Sequence, residues 1–186
     1  MGINDFVYVQ IDGNWNIATC SSDTTVNLFP VLDGGLGDAT EFNLSAEDTK
    51  DYTDKVDRQQ LGLIAFAEKD QLLSHSLNSD INTFNYKDKS THTIRGHTRT
   101  ISGIHEIQGN VVSCDEGGRV LLWNPISNTI VRPSGLMKHK IGISASCANS
   151  HSLYTSSKDK TVMQWKVTGD SFAALAQDLF TKANAI

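Results

Sequence analysis

Short runs of β-forming residues recur along the chain, each closed by a small cluster of Asp, Asn, Gly or Ser. Four of them, residues 19–29, 74–84, 113–123 and 155–165, align without a gap from a tight turn to an aromatic residue. The turn residue is Asp23, Asn78, Gly117 or Asp159, types that tolerate turn dihedrals. Four positions before it stands a hydroxyl residue: Thr19, Ser74, Ser113 or Thr155. Three positions after it stands a β-branched residue: Val26, Ile81, Val120 or Val162. Six after it comes the aromatic: Phe29, Phe84, Trp123 or Trp165. Each unit therefore predicts strand, turn, strand. The aromatics follow one another at 55, 39 and 42 residues. A second landmark, Arg95-Gly96-His97 and Met137-Lys138-His139, puts a histidine 26 residues before a tryptophan twice. A strand-like run follows each histidine, Thr100–Ile104 and Ile141–Ala145, and a weaker one follows the third aromatic at Thr129–Arg132. The pattern predicts an all-β chain built from four-stranded antiparallel units of about 42 residues.

Two stretches sit apart from this period. Residues 33–58 hold eight acidic and three basic residues and account for the whole formal charge of −5. Little apolar alternation occurs there, which predicts a long acidic surface loop or partly disordered insertion between the first two units: a solvated segment, or a docking segment for a basic partner. Phe172, Leu175, Ala176, Leu179, Phe180 and Ala183 have helical spacing, with Asp170 or Ser171 as a cap. Yet Phe172 lies seven residues after Trp165, as Ile130 lies seven after Trp123, and this favours a strand beginning at Phe172. The units divide the chain into 1–32, a partial first unit; 33–58, the acidic loop; 59–94, 95–136 and 137–176, three further units; and 177–186, a tail or the start of another.

Composition narrows the chemistry. Hydrophobic residues make up 39% of 186, enough for a packed core. The acidic balance argues against a general nucleic-acid binder. No stretch reaches the ~18 consecutive apolar residues of a membrane span, and Met-Gly-Ile-Asn-Asp-Phe lacks the plan of a secretory signal. A soluble, cytoplasmic protein is expected. Cys20, Cys114 and Cys147 are odd in number and form no CxxC pair, so neither disulfides nor zinc are indicated. Cys20 and Cys114 share one repeat position with His75 and Ser156, a packing slot rather than a reactive one. Gly34-Gly35-Leu36-Gly37 lacks the Lys-Ser/Thr of a phosphate loop, and no catalytic or metal-binding motif is present. No enzyme activity, cofactor, metal or small-molecule substrate is expected.

Gly-His at the start of a unit and Trp near the end of its third strand resemble the WD-repeat β-propeller family. The resemblance implies a buried tetrad of histidine, hydroxyl, aspartate and tryptophan in each blade. Position by position this is His139, Thr155, Asp159 and Trp165 in the last unit, and His97, Ser113 and Trp123 in the third. Gly117 occupies the aspartate position there, so that tetrad is expected to be incomplete or to borrow a neighbour such as Glu116. Phe29 and Phe84 carry no indole donor, which weakens the expectation of a tetrad in the first two units. Four blades fall short of the seven of a common WD ring, so the chain is either a closed four-bladed ring or, the favoured reading, an arc of a larger seven-bladed propeller with apolar end faces.

Residues 57–125 are also similar to the actin-interacting protein 1 family. The carriers are Asp57-Arg-Gln-Gln-Leu-Gly62, Gln71–Asn82 and Ile94–Ser102. That resemblance implies a non-catalytic protein of the actin cytoskeleton that binds filaments and, with cofilin, promotes their disassembly. Lys87-Asp88-Lys89 and Lys158-Asp159-Lys160 are candidate contact loops. The alternative is a WD-repeat adaptor in another complex, such as one recruiting ubiquitin-ligase substrates.

Overall fold

The computed structural model describes residues 2–49, 54–124, 129–131, 138–168 and 171–177. Contacts divide the chain into two compact units, Met1–Arg95 and Gly96–Ile186.

The first unit holds two sheets. One runs β1 (Ile3–Ile11), β2 (Asn14–Ser21), β3 (Val26–Leu32), with β4 (Gly35–Leu36) and β5 (Thr40–Phe42) both pairing with β3. A four-residue helix, α1 (Ala46–Thr49), follows. The other sheet runs β6 (Gln60–Phe66), β7 (Gln71–Ser76), β8 (Ile81–Asn85), β9 (Thr91–Ile94). In the second unit the sheets are β10 (Ile101–Ile107), β11 (Asn110–Asp115), β12 (Val120–Asn124), β13 (Thr129–Val131), and β14 (Ile143–Ala148), β15 (Ser152–Ser157), β16 (Val162–Thr168), β17 (Ser171–Gln177). All pairings are antiparallel.

One expectation changes here, and one choice between two readings is decided. The acidic window is not simply a loop, because β5 lies inside it and completes the first sheet. Phe42 pairs with Val26 and is buried against Phe84, a burial that overrides the surrounding charge. Ser45 and Asp48 then hold α1 to β9: the Thr91 hydroxyl donates to Asp48 at 2.7 Å. At the other end, the strand reading prevails over the helical one, since β17 pairs with β16 from Thr168–Ser171 to Val162–Gln177. Residues 178–186 lie outside the described residues, and so does most of the expected tail.

The four tight turns share one geometry. Ser21, Ser76, Asp115 and Ser157 each donate a backbone N–H to the carbonyl four residues on, at 3.0–3.1 Å. The left-handed φ falls one residue beyond the position assigned from sequence, at Thr24 (84°), Ser79 (77°), Gly118 (83°) and Lys160 (70°). The aligned Asp or Asn side chain supports the turn instead: Asp23 and Asp159 each accept from the N–H of the Thr two residues on.

Each first strand carries an irregularity near its start, between Ile3 and Asp5, Gln60 and Gly62, Ile101 and Gly103, and Ile143 and Ala145. The residue after it faces the shared slot of Cys20, His75, Cys114 or Ser156. Glycine is required where that slot holds a ring, since a Cβ at Gly62 would lie 2.5 Å from His75.

One apolar cluster fills each unit. Cys20, Val26 and Leu28 pack with Leu63, Leu72 and Phe84 in the first. Cys114, Val120 and Leu122 pack with Leu153, Trp165 and Val167 in the second. Each fully buried side chain of this size contributes about 1.5–3 kcal/mol.

Candidate functional site

The polar residues that the repeat singled out lie in the blade interiors. In the third sheet, β11 carries Ser113 into the core beside Trp123 of β12, and the chain entering β10 brings His97 over both. Trp123 Nε1–H donates to Ser113 Oγ at 2.6 Å, and Ser113 Oγ is 2.6 Å from His97 Nε2. His97 Nδ1 is 2.7 Å from Asp115 Oδ2. One assignment of protons satisfies every atom: indole N–H to hydroxyl oxygen, hydroxyl to Nε2, Nδ1–H to carboxylate. The carboxylate is thus Asp115, not the expected Glu116. Asp115 stands two residues before Gly117, where the other units have Ser21, Ser76 and Ser157, and that exception was its signal in the sequence. Its second oxygen accepts from the N–H groups of Gly117 and Arg119, both at 2.9 Å, so the aspartate that left the turn still ties it down. Burial raises the pKa of Asp115, but the bond to His97 and those backbone donors outweigh it and hold the carboxyl below its usual range.

The last sheet brings all four expected residues together. Trp165 Nε1–H donates to Thr155 Oγ1 at 2.8 Å, and Thr155 Oγ1 is 2.8 Å from His139 Nε2. His139 Nδ1 lies 3.3 Å from Asp159 Oδ2 but only 2.9 Å from Thr161 Oγ1. Thr161 in turn donates to Asp159 Oδ1 at 2.6 Å, a fifth member that the four-residue pattern did not contain. Asp159 also accepts from the Lys140 N–H at 2.8 Å. Against a burial cost, these bonds keep its carboxyl well below the ordinary range. Asp159 is therefore occupied inside the blade and does not offer a partner contact as part of Lys158-Asp159-Lys160. In the other candidate loop, Lys87 pairs with Asp70 at 3.1 Å, and Asp88 accepts from the Ser90 N–H.

The second sheet solves the same problem with an amide. Phe84 offers no donor, and the fully buried Gln60 takes the place of a histidine: its carbonyl oxygen accepts from the Ser74 hydroxyl and from Asn82 Nδ2 at 3.1 Å. Asn82 Oδ1 accepts from Thr93 at 2.9 Å. Sequence comparison among the repeats missed Gln60 because it lies 14 residues before Ser74, not 16 as the histidines do.

These polar groups satisfy one another and leave no free reactive atom in the tetrads. The slot cysteines are likewise inert: burial, then the neighbouring Asp5 charge, pushes the Cys20 thiol up to about 12, and burial raises Cys114. Cys147 is exposed. Among the described residues, no group of three or more His, Cys, Asp or Glu could hold a metal ion, and no helix is long and apolar enough to cross a membrane.

Residues 88–124 match the family described as WD domain, G-beta repeat. The matched segment takes in β9 of one sheet and the first three strands of the next, with His97, Ser113, Asp115 and Trp123 inside it. The four sheets have the fold of β-propeller blades, and the matched segment is a WD repeat. Solved structures agree: the chain is similar to the WD40 repeats of RRP9, at 20% identity and a TM-score of 0.70, over 95% of this chain and 51% of that one. It is similar to the WD40 β-propeller domain of Doa1, at 20% identity and a TM-score of 0.65, over 91% and 52%. The computationally designed Ika4 protein is matched at 14% identity with a TM-score of 0.67, over 90% of this chain and 92% of that one. The chain thus spans about half the length of the RRP9 and Doa1 chains. No curated protein sequence matches it.

Proposed function

We propose that this chain is a non-catalytic WD-repeat platform for binding other proteins, and that its partners are actin filaments bearing cofilin, whose disassembly it promotes. The observation that carries the platform reading is the closure of the interior networks. In three blades every tetrad or amide hub is spent on holding strands and turns, so chemistry is left to surface loops on a stiff frame. The actin reading rests on the similarity of residues 57–125 to the actin-interacting protein 1 family. Its most specific carrier, Gln59-Gln60-Leu61-Gly62, builds the interior of the second sheet. It supports a shared blade construction. Co-sedimentation of the chain with actin filaments, with and without cofilin, tests the proposal. Enrichment in the pellet, greater with cofilin, is expected; absence from the pellet in both conditions overturns the actin reading and favours an adaptor in another complex.

A further inference from the structure

The repeat allows each blade face to be compared with its equivalents, and two faces break the pattern. Phe6 on β1 pairs with Thr19 and so corresponds to Leu63, opposite Ser74, and to Ile104, opposite Ser113. Leu63 and Ile104 are 4% and 5% exposed, whereas Phe6 is 61% exposed. Tyr8 and Trp15 lie on the same face, meet edge to face at 6.3 Å, and are 58% and 54% exposed. Three such side chains leave on the order of 300 Å² of aromatic surface uncovered, the size of patch that marks a binding surface. The opposite kind of face is open on the last sheet. Tyr154, Ser156 and Val162 correspond to Val112, Cys114 and Val120 of the third sheet, which are buried against Leu153 and Trp165. Together with Ala145 and Cys147 they line an apolar hollow of about 200 Å³.

We infer that the Phe6–Tyr8–Trp15 face of one copy docks on the Cys147–Tyr154–Val162 face of a second copy, repeating between chains the contact that each unit makes between its own two blades. Two observations select a second copy. One chain carries both complementary faces: projecting aromatics on the first sheet and a hollow on the last. The charges are complementary too. Met1–Arg95 has 7 basic and 15 acidic residues, net −8, and Gly96–Ile186 has 9 basic and 6 acidic, net +3. A head-to-tail contact brings opposite signs together, while a contact between two first units would set −8 against −8. The interface is therefore heterologous.

Sedimentation velocity of the 186-residue chain at tens of micromolar tests this, with Phe6→Asp and Cys147→Lys as variants on exposed positions and thermal melts to verify folding. The wild type is expected to exceed its monomer mass of 20.3 kDa. Each variant alone is expected to be monomeric, because each copy has lost one of the two faces. Mixed at equal concentration, the two variants are expected to form a 1:1 complex, since the intact hollow of the first meets the intact aromatic face of the second. A monomeric wild type overturns the inference, as does an association that either variant leaves unchanged. Two variants that stay monomeric when mixed overturn it as well.

Discussion

Replacing Ser113 by Ala removes a single oxygen that serves two buried partners. Trp123 Nε1–H loses its acceptor, and His97 Nε2 loses its donor, both where no water reaches: Trp123 is 2% exposed and His97 is 8% exposed. A buried polar group left without a partner costs about 1–3 kcal/mol, so the two together predict a loss of roughly 2–4 kcal/mol. For a chain of this size each kcal/mol lowers the melting temperature by about 2–4 °C. The chain itself contains the compensating change, since Phe84 accompanies Ser74 in the second sheet with no indole to satisfy. Trp123→Phe in the Ser113→Ala background removes the orphaned donor. The double variant is therefore expected to be more stable than the sum of the single losses, by about 1–2 kcal/mol. Urea denaturation followed by far-ultraviolet circular dichroism, on wild type, both single variants and the double variant, measures the cycle. Additivity within about 0.5 kcal/mol would refute the hydrogen-bonded hub, because independent packing losses add to within that margin.

Acid should act through the same networks. Asp115 and Asp159 are both held below the ordinary carboxylate value of 3.8, so their contribution is complete above that pH and is lost as the pH falls through it toward the folded values. The melting temperature should be flat from pH 8 to 5 and fall below about pH 4, and Asp159→Asn should reduce the slope of that fall; an unchanged slope would remove Asp159 from the account. Thr24 is a β-branched residue at φ 84°, so Thr24→Gly should stabilise the chain by about 1 kcal/mol, read as a rise in urea midpoint. Thiol titration of the folded Phe6→Asp variant, whose hollow stays uncovered, should find at neutral pH one fast-reacting cysteine, Cys147, with Cys20 and Cys114 reacting only after unfolding. Three equally fast thiols would contradict their burial.

The parts of this molecule that were legible in the sequence are those encoded within a few residues of one another. The hydroxyl, turn and aromatic positions recur at fixed offsets because a strand alternates its faces every residue and a tight turn has one length. That is why the spacing singled out Thr155, Asp159 and Trp165, which share one hydrogen-bonded network with His139, and why a strand at β17 followed from counting onward from Trp165. The same reasoning failed for Asp115 and Thr161. Thr161 and Asp159 both reach His139 Nδ1, at 2.9 and 3.3 Å, and the carboxylate on His97 comes from two residues before the aligned turn position, where the other units have serine. It also failed for β5, where composition argued for a loop.

The sequence by itself determined the repeat, the all-β class and the residue types in the blade interiors, because local periodicity follows from backbone geometry alone. Tertiary structure decided which oxygen each histidine meets, that Gln60 replaces a histidine in the second blade, that Phe42 draws acidic chain into the first sheet, and which faces stay uncovered. Those choices are made by groups far apart in the chain competing for burial and for hydrogen bonds.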